Sequence, residues 1–346
     1  MKNSIMIMLE ENVLRAPEKK ALADEFRSLT YREYLAAAVR TAEEICRRIT
    51  KDQAILSCPE FARPVGVLID RSVLSITAFM GAAYSGNFYV PLDPALPAGR
   101  LTIILRELSP ILLIDAREEA GELPVTCDVP VLSMRALYDD VRGGTVSGDG
   151  AAPAEEADGL GKDVNSLVEK AREMRSRILD TDPLYAIFTS GSTGIPKGVL
   201  VSHRSVLDLV EAFAEVFGFA EDAVFGNQAP FDFDVSVKDI YNALHCGGCV
   251  EVLPRRLFVM PALLMEYLAL HGVNTIIWAV SAMRIVSDLR VLGEGKTSVP
   301  LRLRHVMFSG EVMPVKSANY WIRFFPDAMF VNLYGPTEIT CNCTYH

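Results

Sequence analysis

Thr189-Ser190-Gly191-Ser192-Thr193-Gly194-Ile195-Pro196-Lys197-Gly198 holds four hydroxyl side chains, three glycines and one lysine within ten residues. Glycine lets a backbone approach an anion closely, and hydroxyls, amides and an ammonium all donate hydrogen bonds to phosphate oxygens. The stretch reads as a grip for a nucleotide triphosphate. It is not a P-loop, in which Gly-Lys-Ser/Thr opens a helix: Lys197 follows Pro196 and precedes Gly198. The flanks, Leu184-Tyr-Ala-Ile-Phe188 and Gly198-Val-Leu-Val201, are apolar and suited to strands, so the spacing predicts strand–loop–strand. A plain Gly/Ser linker is the competing reading, and a linker has no need of the Pro-Lys-Gly ending.

Outward from this loop, strand-like and helix-like segments alternate. Helices are expected over 9–16 and 31–50. The second carries Tyr34, Leu35, Ala38, Val39, Ala42 and Ile45 near helical spacing and starts from the Thr-x-x-Glu of Leu29-Thr-Tyr-Arg-Glu33. Short strands are expected at Val65–Ile69, Phe88–Val90, Ile111–Ile114 and Val129–Leu132, with a helix at Ser72–Ser85. Residues Gly143–Gly161 are rich in Gly, Ala, Glu and Asp and read as a mobile surface loop. A helix follows, since Val164, Leu167, Val168, Ala171, Met174 and Ile178 share one face. The later part alternates again: helix Ser205–Phe217, strand Cys249–Leu253, helix Pro261–His271, then strands Thr275–Val280, Leu303–Phe308 and Met329–Leu333. This is an α/β pattern with mostly parallel sheets flanked by helices. The expected division is 1–142 as a first α/β subdomain, 143–180 as loop and helix, and 181–346 as a second α/β subdomain.

A chain of 346 residues that is 50% hydrophobic and 23% charged is globular and long enough for a large core. The net charge of −10 argues against a nucleic-acid surface. No apolar run reaches membrane-spanning length, and Met1–Leu9 runs into Glu10-Glu11 without a cleavage site, so neither membrane insertion nor a signal peptide is expected. Seven thinly spread cysteines fit reduced thiols in the cytoplasm.

Three more segments follow in a recognisable order: Phe231-Asp-Phe-Asp-Val-Ser-Val-Lys-Asp-Ile-Tyr241, Phe308-Ser-Gly-Glu-Val312 and Asn332-Leu-Tyr-Gly-Pro-Thr-Glu338. With Leu29–Glu33, Gly86-Asn-Phe-Tyr-Val-Pro-Leu-Asp-Pro94 and the 189–198 loop, they make the chain resemble the adenylate-forming, AMP-binding superfamily. Within it, the chain looks most like amino-acid adenylation domains of nonribosomal peptide synthetases and D-alanine–carrier-protein ligases. The resemblance covers nearly the whole chain and implies the large N-terminal core of such an enzyme. Its implied reaction joins a carboxylate to ATP, releases pyrophosphate and passes the acyl group to a phosphopantetheine thiol on a carrier protein. The implied cofactors are ATP and Mg²⁺. The carboxylate is a weak nucleophile and the α-phosphorus is shielded by negative oxygens, so neutralisation and positioning dominate such catalysis.

By the same resemblance, Thr189, Ser190, Gly191, Ser192, Thr193, Gly194 and Lys197 hold the β- and γ-phosphates. Thr337 donates to the α-phosphate, and Glu338 carries Mg²⁺. Gly310, Glu311 and Asn332 contact adenine, Tyr334 stacks on it, and Gly335 belongs to the same string. Asp234, in Phe233-Asp-Val-Ser236, pairs with the substrate α-ammonium, with Asp232 the alternative two residues away on one face of a strand. A carboxylate in a mostly apolar pocket needs a cation, so Asp234 points to an amino acid rather than a fatty or aryl acid. The other implied pocket residues are Val235, Lys238, Trp278, Met307, Ser309, Leu333, Cys341 and Asn342, with the alignment open by a residue or two at Trp278. Ser309 stands where D-alanine ligases have cysteine. Lys238 is read as pointing into solvent, with pairing to Asp234 or to an acidic substrate as alternatives.

Cys246-Gly-Gly-Cys249 has redox or zinc spacing but also matches a turn of the family. His203 is either ligand-facing or a helix-start histidine bonded to local backbone. Glu155–Glu156 and the Arg172–Arg177 charges read as solvated faces. The resemblance also implies a Thr-Gly-Asp segment, a hinge and a lid domain with a lysine, none of which occurs in this sequence. The expectation is a partial chain that holds most contacts yet gives little pyrophosphate exchange alone. The competing functions are another carboxylate–CoA ligase or a non-catalytic adenylation-like binding protein. A tRNA-charging synthetase is disfavoured by the missing His-Ile-Gly-His and Lys-Met-Ser-Lys-Ser strings.

Overall fold

In the computed structural model of the chain, residues 2–51, 62–119, 121–122, 129–141, 163–189 and 196–346 are described. The strands among them are β1 (Lys20–Ala23), β2 (Ser28–Thr30), β3 (Pro64–Leu68), β4 (Phe88–Leu92), β5 (Leu112–Asp115), β6 (Val131–Ser133) and β7 (Pro183–Thr189). They continue with β8 (Lys197–Ser202), β9 (Val224–Asn227), β10 (Cys249–Val252), β11 (Thr275–Ala279), β12 (His305–Ser309), β13 (Met329–Tyr334) and β14 (Thr344–Tyr345). The chain divides into two compact units. The first comprises Met1–Lys19 and Leu29–Leu207, and the second Lys20–Ser28 and Asp208–His346.

The first unit holds a six-stranded sheet in the order β6-β5-β3-β4-β7-β8. Its neighbours are parallel except β7 and β8, which are antiparallel. The polar glycine stretch is therefore flanked by two antiparallel strands. The expected Thr-x-x-Glu start is formed in full: the Thr30 amide donates to Glu33 Oε2 at 2.8 Å and the Glu33 amide to Thr30 Oγ1 at 3.2 Å, opening helix Tyr31–Lys51. Helix Val73–Tyr84 is buried on every side, as an all-round apolar sequence requires. At Gly81 an added Cβ would lie 2.5 Å from the Thr41 side chain, so glycine sets the approach of these two helices.

Helix Val164–Arg175 forms as predicted, but its basic face is not simply solvated. Arg175 Nε donates to Glu10 Oε1 at 2.6 Å, and Glu10 is 2% exposed. Tyr84 also donates to this carboxylate, at 3.3 Å. A buried carboxylate needs such partners, and only tertiary structure supplies them from 165 residues away. The loop read at Gly143–Gly161, with Glu155–Glu156, lies outside the described residues.

His203 is 1% exposed and opens helix His203–Phe217. Its Nδ1 accepts from the Ile5 amide at 3.5 Å, which is distant in sequence rather than local backbone. Burial pushes its pKa down to about 4 from 6.5, against the opposing pull of Asp182 and Asp180. Between those two values the unfolded chain takes up a proton that the native chain refuses. The stability His203 confers is thus present above pH 6.5 and is lost as pH falls toward 4, a span of about 3 kcal/mol at ~1.4 kcal/mol per pH unit. In melting temperatures recorded from pH 7 to pH 4, His203→Gln is expected to flatten this acid limb. Parallel limbs for variant and native protein would remove His203 as its source.

The second unit holds an eight-stranded sheet in the order β14-β13-β12-β11-β9-β10-β1-β2. From β13 through β1 the neighbours are parallel, and β14 closes an antiparallel hairpin with β13. One face of this sheet is covered by helices Pro261–Leu270, Val280–Asp288 and Val315–Phe324. The core there includes Trp278, Trp321, Phe308, Leu268 and Met283.

Candidate functional site

Parallel strands bring their carboxyl ends to one edge of a sheet, and the loops leaving that edge converge. In the second unit, β9 leads through Phe231–Asp234 into helix Val235–Cys246, β12 leads into Gly310-Glu311, and β13 leads into Gly335-Pro-Thr-Glu338. These three segments were separate strings in the sequence, and β9, β11, β12 and β13 make them neighbours at one edge. Gly310 sits at φ +95, a conformation that favours glycine.

Strand register separates the predicted pocket residues into two groups. Trp278 pairs with Phe308, and Phe308 with Asn332; Ile277 pairs with Met307, and Met307 with Val331. Side chains alternate across a sheet, so Met307, Ser309 and Leu333 share one face while Trp278 belongs to the other. Trp278 is fully buried, its Nε1 donates to the Gly226 carbonyl at 2.8 Å, and its ring meets Phe258 and Trp321 edge-on. Its place among the pocket residues is corrected: it is a core side chain. The residue of that strand which shares the Ser309 face is Ala279. Its amide donates to Gln228 Oε1 at 3.1 Å. Counting parity from the strand would have found Ala279; no motif marks Gln228.

Helix Val235–Cys246 covers the Ser309 face, and this corrects two further expectations. Asp232 and Asp234 lie on the turn into a helix, not on a strand. Lys238 does not reach solvent. It is 1% exposed and donates to Asn342 Oδ1 at 2.9 Å and to Ser309 Oγ at 3.5 Å. Burial pushes its ammonium pKa down, while Cys341, Asp239 and Asp234 pull it up. Asp234 is half-buried at the helix N-cap, and its side chain does not cap the helix. Among the described residues the Asp234 carboxylate makes no hydrogen bond or ion pair.

The turn after Glu338 reaches back to this helix. Cys341 is buried, and its thiol donates to the Asp234 carbonyl at 2.8 Å, while Asn342 holds Lys238. Thr340 and Cys341 carry φ of 63 and 73, two successive non-glycine residues in the left-handed region. Such backbone costs on the order of 1–3 kcal/mol per residue and persists only where surrounding contacts enforce it. Gly335 is part of that enforcement. A Cβ there would lie 2.5 Å from Asn342 Cα, 2.6 Å from the Cys341 carbonyl oxygen and 2.9 Å from the Cys343 nitrogen, all backbone atoms. Gly335→Ala is therefore expected to lower stability by about 1–3 kcal/mol, the usual range for overpacking. Thermal denaturation measures this, and an unchanged melting temperature would contradict the close approach.

The residues assigned to the nucleotide are accessible. Asn332, Gly310, Glu311 and Glu338 are exposed, Thr337 is half-buried, and the Tyr334 ring is 70% exposed. Asn332 and His346 exchange backbone hydrogen bonds of 2.8 and 2.9 Å, fixing the hairpin that carries Tyr334. Glu338 makes no ion pair or hydrogen bond among the described residues. A free, exposed carboxylate suits a hard cation that also needs phosphate oxygens.

In the first unit, Thr189 closes β7 and Lys197 opens β8 directly opposite. Thr189 Oγ1 donates to the Lys197 carbonyl at 3.4 Å, and the Lys197 side chain is exposed. Gly198 lies under the Phe188 ring, 3.3–3.5 Å from where a Cβ would be. Ser190, Gly191, Ser192, Thr193 and Gly194 lie outside the described residues. The Cys246–Cys249 stretch is a helix stop. Gly247 adopts φ +73 after the helix, and a Cβ at Gly248 would lie 2.5 Å from the Ala223 carbonyl oxygen.

Residues 9–346 match the profile of the family described as AMP-binding enzyme. The chain belongs to the AMP-binding enzyme family. It is 31% identical over 335 residues to syringomycin synthase SyrB1 of Pseudomonas syringae pv. syringae, covering 95% of this chain and 47% of that protein. It is 32% identical over 284 residues to a D-alanine–D-alanyl carrier protein ligase of Listeria monocytogenes serotype 4b, covering 82% and 50% respectively. This AMP-binding chain thus spans about half the length of the curated relatives it matches. Its fold is similar to the nonribosomal peptide synthetase FmoA3, with a TM-score of 0.78 at 22% identity, covering 99% of this chain and 32% of that one. It is also similar to the N-terminal subdomain of Klebsiella oxytoca NpsA, solved with 3-hydroxybenzoyl-AMSN, with a TM-score of 0.72 at 21% identity, covering 100% and 76%.

Proposed function

We propose that this AMP-binding chain serves the activation of an amino acid as aminoacyl-AMP, with release of pyrophosphate, for transfer to a carrier-protein thiol. The observation that carries the reading is the Asp234 carboxylate. It is half-buried, unpartnered among the described residues, and at the same sheet edge as the Gly310-Glu311 and Tyr334–Glu338 segments. An acid so placed matches the α-ammonium of an amino acid. Carrier transfer is supported by the Listeria relative, a D-alanine–D-alanyl carrier protein ligase.

In the proposed reaction a substrate carboxylate oxygen bonds to the α-phosphorus of ATP as the bond to the β-bridging oxygen breaks. The thiolate of a carrier phosphopantetheine then bonds to the acyl carbon and AMP leaves. Asp234 orients the amine. Gly310, Glu311, Asn332 and Tyr334 hold adenine, and Gly335 keeps their hairpin closed. Thr337 donates to the α-phosphate. Thr189, Ser190, Gly191, Ser192, Thr193, Gly194 and Lys197 hold the β- and γ-phosphates, neutralising the pyrophosphate as it departs. Glu338 would hold Mg²⁺, whose contribution when bound is to offset phosphate charge. Val235, Met307, Ser309, Leu333, Cys341 and Asn342 shape the side-chain pocket with Lys238. Among the described residues no helix is long and apolar enough to cross a membrane; a cytoplasmic setting is part of the proposal.

The test is calorimetric binding of individual amino acids to the chain in the presence of ATP. Binding confined to one amino acid or a small set supports the reading. Binding only of acids lacking an α-amine would replace it with carboxylate–CoA ligation.

A further inference from the structure

Lys238 presents three N–H donors inside the second unit, and the protein gives them two neutral acceptors, Asn342 Oδ1 and Ser309 Oγ. Among the described residues no carboxylate forms an ion pair with it. The nearby acid Asp239 is instead engaged with Asn227, whose Nδ2 donates to Asp239 Oδ2 at 2.9 Å. An ammonium that is 1% exposed and makes no close ion pair, with Asp239 and Asp234 acting only at longer range, is a costly arrangement. Burial already presses it toward the neutral amine. A bound anion would relieve that cost.

The position of Lys238 indicates which anion. It lies four residues after Asp234, so the two share one face of the same helix, one turn apart. They form a carboxylate and an ammonium in series along one helix face, the complement of a ligand with an ammonium and a carboxylate in series. Ser309 strengthens the match. Its Oγ accepts from Lys238, which leaves its own O–H to donate to the same incoming oxygen pair.

We propose that the amino acid selected by this chain carries a second carboxylate on its side chain, received by Lys238 and Ser309. This rests on the reading of Asp234 as the partner of the α-ammonium. The competing role for Lys238 is a purely structural tie, as a neutral amine or ammonium that holds Asn342 in the strained turn.

The experiment is calorimetric binding of 5′-O-(N-aminoacyl)sulfamoyl adenosines to the 346-residue chain. The acyl groups are glutamyl, aspartyl, glutaminyl, asparaginyl and alanyl, each in L and D forms. The expected result is an acidic analogue bound at least tenfold tighter than its own amide. Lys238→Met should erase that ratio. Because Lys238→Met could also loosen the turn, Asn342→Asp provides a second arm. It places an internal carboxylate on the ammonium while keeping the side-chain shape. Asn342→Asp is expected to cut the acid-over-amide ratio at least tenfold without lowering the melting temperature. An amide or alanyl analogue bound as tightly as the acids by the native chain would overturn the acidic-substrate proposal and leave amino-acid activation standing. So would an acid-over-amide ratio unchanged in both variants. Failure of every analogue, together with failure of ATP to bind, would overturn the activation reading and this proposal with it.

Discussion

Asp234→Ala is expected to weaken amino-acid binding, measured calorimetrically in the presence of ATP, by about 30- to 100-fold, with ATP affinity unchanged. Removing one partner of a fully desolvated ion pair costs about 3–5 kcal/mol. Asp234 is only half-buried, so the effect is set lower, at about 2–3 kcal/mol, and each 1.4 kcal/mol is tenfold. The loss should fall on amino-acid binding, because the Asp234 side chain makes no hydrogen bond or close ion pair and acts on Lys238 only at longer range. It does not cap its helix and makes no hydrogen bond or ion pair with the described residues. Its removal leaves no buried donor stranded, and folding should be little affected. Asp234→Asn is the sharper variant, since it keeps the shape and removes the charge. It should lose nearly as much. If Asp234→Asn retained native amino-acid affinity, the charge pairing would be refuted while membership of the AMP-binding family would be untouched.

The second large effect is on stability. Trp278→Ala is expected to destabilise the protein by about 3–5 kcal/mol, the range for truncating a buried large aromatic residue. Trp278 is fully buried between Phe258 and Trp321, and its loss also strands the Gly226 carbonyl that its indole N–H now satisfies at 2.8 Å. Denaturant melts measure this. The companion variant separates core from pocket. Trp278→Phe keeps an aromatic filler and should leave the preferred amino acid unchanged in binding assays. A switch of preference in Trp278→Phe would return that side chain to the substrate pocket, against the strand register.

The contrast between Asp234 and Trp278 shows how far motif reading carries. Both were assigned by position in a string. Asp234 sits in a dense motif, Phe-Asp-Val-Ser, with Asp232 as the alternative. Trp278 sits in an apolar strand with nothing to anchor the count, and a one-residue slip in a strand moves a side chain to the opposite face. Lys238 failed differently. The sequence reads it as pointing into solvent, and its burial was not legible. A lysine four residues into an amphipathic helix is usually solvated, and only the turn at 340–342, arriving from a hundred residues later, covers it. Arg175 repeats the lesson, since its partner Glu10 comes from the first helix.

The sequence by itself determined the α/β class, the strands that flank the glycine stretch, the Thr30–Glu33 helix start and the family. Each depends on local patterns: side-chain periodicity, hydrogen bonds between residues three apart, or contiguous strings. Tertiary structure alone decided which strand faces look into the candidate pocket, that Cys341 and Asn342 clasp the helix bearing Asp234, and that Lys238 is sealed from water. Those outcomes depend on register between strands and on contacts across long stretches of chain, where the favourable energy lies in pairs of residues that no local window contains.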